Sequence, residues 1–148
     1  MRAEGQLIVR RLFDEVFNAR AYEVIPELVS DDFVEHAIAP FGAEPPGAVA
    51  GVAHMQSVVE WLTAQFPDIC MSVEAVVGEG DLVSVRVRAV GTNLGPFNGV
   101  MPPTGRTFDA EQCHWYRITD YRLTEHWAVR DDLGAMLQLG VVSRPGPR

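Results

Sequence analysis

The chain contains no lysine. That absence excludes Schiff-base catalysis and the phosphate-gripping lysine of a Walker loop. Cysteine is scarce too: Cys70 and Cys113 stand far apart, in no Cys-x-x-Cys or zinc pattern, and are expected to be half-buried strand thiols. Twelve scattered arginines face twenty acidic residues, a formal charge of −8. A phosphate backbone requires clustered cations, so nucleic acid is not expected as a partner. Nowhere do about eighteen apolar residues stand together, and the opening MRAEGQ lacks the apolar run of a secretory leader. The expectation is a soluble, cytoplasmic protein with no membrane partner. There is no Gly-x-Ser-x-Gly elbow and no His-x-His or His-x-x-x-His pair. A nucleophilic serine is therefore unsupported, and a metal would need His36, His114 and Asp131 to converge in space. No metal site is expected.

What is present suits one domain over residues 1–148, large enough to enclose a pocket. Val9, Leu12, Phe13, Val16 and Phe17 recur at spacings of three and four, predicting an amphipathic helix from Ala3 to Asn18. Ala21–Leu28 predicts about two further turns, limited by Pro26 and ended at Ser30-Asp31-Asp32, after which Phe33–His36 is short and extended or helical. Ala37–Gly51 is rich in Pro, Gly and Ala and reads as a loop over a pocket mouth or a surface excursion. A third helix runs from Val52 to Phe66.

From Met71 onward the pattern alternates. Met71, Val73 and Ala75, then Val83, Val85, Val87 and Ala89, predict a hairpin turning at Gly78–Asp81, with Arg86 and Arg88 on a wet face. Thr92–Arg106 is loop, whose Leu94, Phe97, Val100 and Met101 would roof a cavity. Thr107–Ile118 and Arg122–Val129 form a second hairpin, and Asp131 or Asp132 caps a last helix that Gly140 ends. Helices followed by an antiparallel sheet predict an α+β fold: N-terminal helices packed on a strongly curved, mostly antiparallel sheet, forming a cone with an internal cavity.

The order of elements, Asp-Phe-Val-Glu-His at 32–36, Met-Pro-Pro-Thr at 101–104, Glu-Gln-Cys-His at 111–114 and Leu-Gln-Leu-Gly at 137–140 resemble the SnoaL-like polyketide cyclase family. That family belongs to the cone-shaped superfamily of ketosteroid isomerase and scytalone dehydratase. The resemblance implies cofactor-free acid/base chemistry on a hydrophobic, polyketide-like carbonyl compound: aldol-type ring closure, or a related isomerisation, dehydration or hydroxylation. It also implies that the cavity-lining Gln and His are Gln112 and His114. The cyclase aspartate, counted ungapped from His114, would fall on Ala128.

Asp131 is the nearest acid, and side-chain alternation decides whether it faces the cavity. Pairing Ile118 with Leu123 turns Leu123, Glu125, Trp127, Val129 and Asp131 inward. The cyclase register turns Thr124, His126, Ala128 and Arg130 inward instead, and a bulge near Arg130 would reconcile the two. The first arrangement is preferred here, which makes Asp131 and His114 the expected catalytic pair. Gln112, His36 and Trp127 are then the expected substrate contacts; for His36 a bond to the adjacent loop is the structural alternative. His54 and His126 are expected at the surface, and Trp61 in packing. A non-catalytic small-molecule-binding or dimerisation module of the same fold is the alternative function, distinguished by whether Gln112, His114 and Asp131 share one enclosed pocket. A homodimer is expected through the exposed sheet face.

Overall fold

Eleven residues on one face of two hairpins decide the architecture: Val83, Val85, Val87, Ala89, Gly91, Phe108, Ala110, His114, Tyr116, Ile118 and Leu123 are buried, while the residues between them are less so. Strands alternating in this way must cover one face with helices. The computed structural model of the chain describes residues 2–42 and 50–147. It contains the α+β fold expected, with five strands in the order β1-β5-β4-β3-β2. These are β1 (Val29–Glu35), β2 (Cys70–Glu79), β3 (Leu82–Thr92), β4 (Thr107–Thr119) and β5 (Arg122–Arg130). The helices are α1 (Arg2–Arg11), α2 (Ile25–Leu28), α3 (Gly51–Gln65) and α4 (Asp132–Leu139). The sheet curls around the helices without closing.

The first helix continues beyond Arg11 through wider turns over Leu12–Asn18, where Ala19 N–H reaches back five residues to Asp14 O. Widened turns are uncommon and often sit at functional sites. Here they keep Leu12, Phe13, Val16 and Phe17 all buried against the sheet.

Three expectations need correction. The helix does end at Leu28 and Phe33–Glu35 is extended, one of its two readings, but Ser30-Asp31-Asp32 is not a mere stop: it lies within a strand, Val29–Glu35, paired parallel to β5. Its partner lies about ninety residues on, so no local pattern could reveal it. The second concerns the β4–β5 register. Ile118 does pair with Leu123, as expected, but Arg117 pairs with Glu125, leaving Thr124 as a bulge. The Thr124 hydroxyl donates to Arg117 O at 3.3 Å. One extra residue reverses the side-chain parity of everything after it, so Ala128 faces His114 and Arg130 faces Gln112 across the pair. The bulge is there, six residues earlier than the reconciling position near Arg130. Third, of the four expected roof residues only Phe97 is buried, packed on Phe41 at 5.2 Å, while Leu94, Val100 and Met101 are exposed.

Residues 43–49 of the predicted Ala37–Gly51 loop lie outside the described residues. Its described part does border the pocket. Ile38 O accepts from Arg130 at 2.8 Å, Phe41 N–H donates to Asp132 Oδ2 at 3.0 Å, and Phe41 O accepts from Asn98 at 3.3 Å. Cys113 is half-buried as expected, but Cys70, at the start of its strand, is exposed. No helix among the described residues is long and apolar enough to cross a membrane.

Candidate active site

The concave face of the sheet supplies the floor of a chamber. Phe17 of the widened turns, Met55 and Leu62 of α3, and Met71 and Phe108 of the sheet give it apolar walls, and Ile38–Phe41 forms its rim. Its free volume is about 40 Å³. That is far below the roughly 300–1,000 Å³ of a drug-sized ligand site, so admitting a multi-ring compound requires the rim to move.

The polar groups of the chamber converge on one line. Gln112 Oε1 lies 2.8 Å from His114 Nε2, His114 Nδ1 lies 2.8 Å from His126 Nε2, and His126 Nδ1 lies 2.7 Å from Glu35 Oε1. Glu35 also accepts from Ala37 N–H at 2.9 Å, and its second oxygen faces His54 Nε2 at 3.5 Å. Three neighbouring strands contribute, and the geometry follows from register. Gln112, His114 and Tyr116 alternate inward on β4; the Thr124 bulge brings His126 inward on β5; Phe33 and Glu35 are two apart on β1. Tyr116 stacks on His126, with ring centroids 4.6 Å apart, and Phe13 sets its edge against His114 at 5.3 Å.

Burial pushes the Glu35 carboxyl up, but hydrogen bonds from His126 and His54 and the attraction of His126 outweigh it, holding the group at about 2. Burial, with the nearby His126 and Arg130, drives His114 well below its ordinary value of 6.5. Burial also lowers His126, against the pull of Glu35. At neutral pH the line is therefore an ionised acid behind two neutral imidazoles. Burial raises the Tyr116 phenol, which stays a proton donor.

Two proton arrangements satisfy this line. In one, His126 Nδ1–H donates to Glu35, His114 Nδ1–H donates to His126, and His114 Nε2 accepts from the Gln112 amide turned NH₂-inward. In the other, one proton more is present: His114 Nε2–H donates to Gln112 Oε1, His126 Nε2–H donates to His114, and the added proton lies between His126 and Glu35. The line can thus take up a proton at His114 and hold it between His126 and Glu35.

Several expected residues stand elsewhere. Gln112 and His114 face the chamber together, but Asp131 does not join them. With parity reversed by the bulge, it leaves β5 exposed and caps α4, accepting from Gly134 N–H at 2.9 Å. Asp131→Ala is expected to cost about 1 kcal/mol in urea unfolding through the lost cap, while leaving catalysis unchanged. His36 and Trp127 are on the outer face, stacked 4.8 Å apart, with His36 bonded to Glu125 at 3.0 Å and Arg117 above Trp127 at 5.8 Å. His54 and His126, expected at the surface, are each only 5% exposed. The residues overlooked are Glu35, His54, His126 and Arg130; Tyr116 follows from the same inward alternation as Gln112 and His114 but was given no role. Glu35 had one signal, its two-residue step from the buried Phe33; His126 and Arg130 belonged to the register set aside. Among the described residues no group of three or more His, Cys, Asp or Glu has the geometry to hold a metal ion.

The family model for SnoaL-like polyketide cyclase matches residues 7–139. The chain belongs to the SnoaL-like polyketide cyclase family. This is a family of enzymes, and the site lies within the matched span. Aklanonic acid methyl ester cyclase DauD of Streptomyces sp. (strain C5) is 29% identical over 134 residues, covering 90% of this chain and 80% of that protein. Nogalonic acid methyl ester cyclase of Streptomyces nogalater is 29% identical over 125 residues, covering 84% and 89%. Among solved structures, IdmH of Streptomyces antibioticus is 34% identical with a TM-score of 0.77, covering 92% of this chain and 98% of that one. A SnoaL-like protein from Jannaschia sp. CCS1 reaches a TM-score of 0.80 at 28% identity, covering 96% and 95%. Within the SnoaL-like frame, the Ala128 methyl stands across from His114 where the family resemblance places an acid, and the carboxylate of this chamber comes from β1 instead.

Proposed function

We propose that this protein is a cofactor-free polyketide cyclase in which His114, backed by His126 and the ionised Glu35, is the general base. The observation that carries the reading is the continuous Glu35–His126–His114–Gln112 line, ending at an apolar chamber and buried along most of its length. A hydrophobic carbonyl compound enters past Ile38–Phe41 and displaces the Gln112 amide from His114 Nε2. His114 then takes the acidic C–H proton as it passes its own Nδ1 proton toward His126 and Glu35. Gln112 N–H and the Tyr116 hydroxyl donate to the enolate oxygen. Preorganised donors aimed at developing charge are among the largest contributors to catalysis. The enolate carbon bonds to a second carbonyl carbon of the same molecule, and the alkoxide so formed recovers the proton from His114. The net change is one new C–C bond and one new hydroxyl, with no redox change.

The test is hydrogen exchange into 2-acetylnaphthalene, a flat methyl ketone, followed by NMR in D₂O. The wild type is expected to accelerate exchange of the methyl protons, and His114→Gln to lose at least 100-fold of the acceleration. No acceleration by the wild type would leave a binding module in place of the enzyme, and acceleration undiminished in His114→Gln would remove His114 as the base.

We also propose a homodimer through the outer sheet face, where Trp115 and Trp127 oppose one another and Val77 and Val129 are 64% and 68% exposed. Sedimentation at micromolar concentration is expected to give twice the chain mass, and Val129→Glu to give the monomer.

A further inference from the structure

The line from Glu35 to Gln112 leaves one charged group of the chamber without a task. Arg130 is the last residue of β5 and stands directly across from Gln112. Its side chain lines the chamber beside Ile38. Nη1 donates to Ile38 O at 2.8 Å. Among the described residues no carboxylate lies within ion-pair distance of its guanidinium, whereas on the surface Arg86 and Arg88 each meet one and Arg11 and Arg117 each meet two. The two acids near enough to act on its charge are committed elsewhere. Asp132 accepts from Phe41 N–H at 3.0 Å, and Glu35 from His126 and Ala37. A partly desolvated cation with unused donors is costly unless an anion joins it.

We infer that Arg130 is a specificity residue that pairs with an anionic oxygen group of the substrate, a carboxylate, at the rim of the chamber. This rests on the cyclase reading for the chamber itself but makes a separate demand on the ligand. A guanidinium presents a planar fork that matches a carboxylate with two parallel hydrogen bonds, a fit that a neutral ester cannot return. Position sets the shape of the substrate as well. Arg130 faces Gln112 while His114 lies two residues deeper on the same strand, a rise of about 7 Å. The acid group therefore sits roughly that far from the carbon that loses its proton, with the apolar body lying along the chamber wall against Phe17, Met71 and Phe108. The methyl ester cyclases to which the chain is similar are named for neutral esters; the free acid is the form this chamber selects.

The experiment uses two probes of one shape, anthraquinone-2-carboxylate and its methyl ester, titrated calorimetrically into the wild type, Arg130→Gln and Arg130→Lys. The wild type is expected to bind the acid at least 10-fold more tightly than the ester. Arg130→Gln, which can still donate to Ile38 O, is expected to bind both alike, with its ester affinity unchanged, which also shows that the chamber has kept its shape. Arg130→Lys is expected to retain part of the preference, since it keeps the charge and loses the fork. Equal binding of acid and ester by the wild type overturns the inference and leaves the cyclase reading intact, as does a preference for the acid that persists in Arg130→Gln. Failure of both probes to bind the wild type overturns the chamber as a ligand site, and this inference with it.

Discussion

Glu35→Gln is expected to slow methyl-proton exchange in 2-acetylnaphthalene by about 10²–10⁴-fold, the usual worth of general-base catalysis, because His114 loses the charge that backs it. Glutamine preserves the size of the side chain and still accepts from His126 and from Ala37 N–H. What it removes is the negative charge beside His126 that, in the proposed mechanism, holds the abstracted proton there. His114 alone is a poor base, because burial keeps it well below its ordinary range; Glu35 draws the proton through His126 and makes the transfer favourable. The same variant carries a pH signature. The Glu35 carboxyl falls from its ordinary 4.5 to about 2 on folding. The stability this contributes is complete above pH 4.5 and is lost as pH falls toward 2, because the unfolded chain takes up the proton first. Thermal midpoints of the wild type should therefore exceed those of Glu35→Gln at pH 6 and approach them by pH 3. A constant gap across that range would mean that the carboxylate is not held by the histidines.

The second large effect is on stability. Phe13→Ala is expected to cost about 3–5 kcal/mol, a large share of the 5–15 kcal/mol available to a typical domain, and to lower the thermal midpoint by about 10 °C. Phe13 is fully buried in the widened turns of the first helix. It stacks on Phe17 at 5.3 Å and sets its edge against His114 and Tyr116 at 5.3 and 6.4 Å. Truncation leaves a cavity beneath the His114 imidazole, so ring order at His114, read from imidazole NMR line widths, should fall together with the urea midpoint. A loss under 1 kcal/mol would mean that the sheet closes over the gap without help from this ring.

Where the sequence reading succeeded, the information was local. The 3–4 spacing from Val9 to Phe17 and from Val52 to Phe66, and the two-residue alternation from Met71 to Ile118, each repeat often enough for burial of one face to outweigh every other arrangement. That was sufficient for an α+β fold and for placing Gln112 and His114 side by side. Reading failed at Asp131, His36, Trp127, His54 and His126, and four of these five misplacements trace to events that local pattern does not encode. A bulge at Thr124 reverses parity for the rest of β5, exchanging Trp127 for His126 and Asp131 for Arg130 inside the chamber. A parallel strand, β1, takes its hydrogen bonds from β5 and carries Glu35 to His126 across 91 residues of chain. His36, one residue past that strand, is turned to the opposite face for the same reason. His54 was missed differently: it lies on the buried face of α3, whose stripe was drawn from apolar residues only.

The sequence by itself determined which segments other than β1 are helix and which are strand, that the strands hide one face, and that an amide and an imidazole share that face, because each follows from side chains a few residues apart competing with water. Only the tertiary structure decided which acid stands in line with the imidazole and which arginine lines the chamber. Both depend on a single unpaired residue and on a pairing between distant strands, and the energies that select them belong to the assembled sheet rather than to any stretch of the chain.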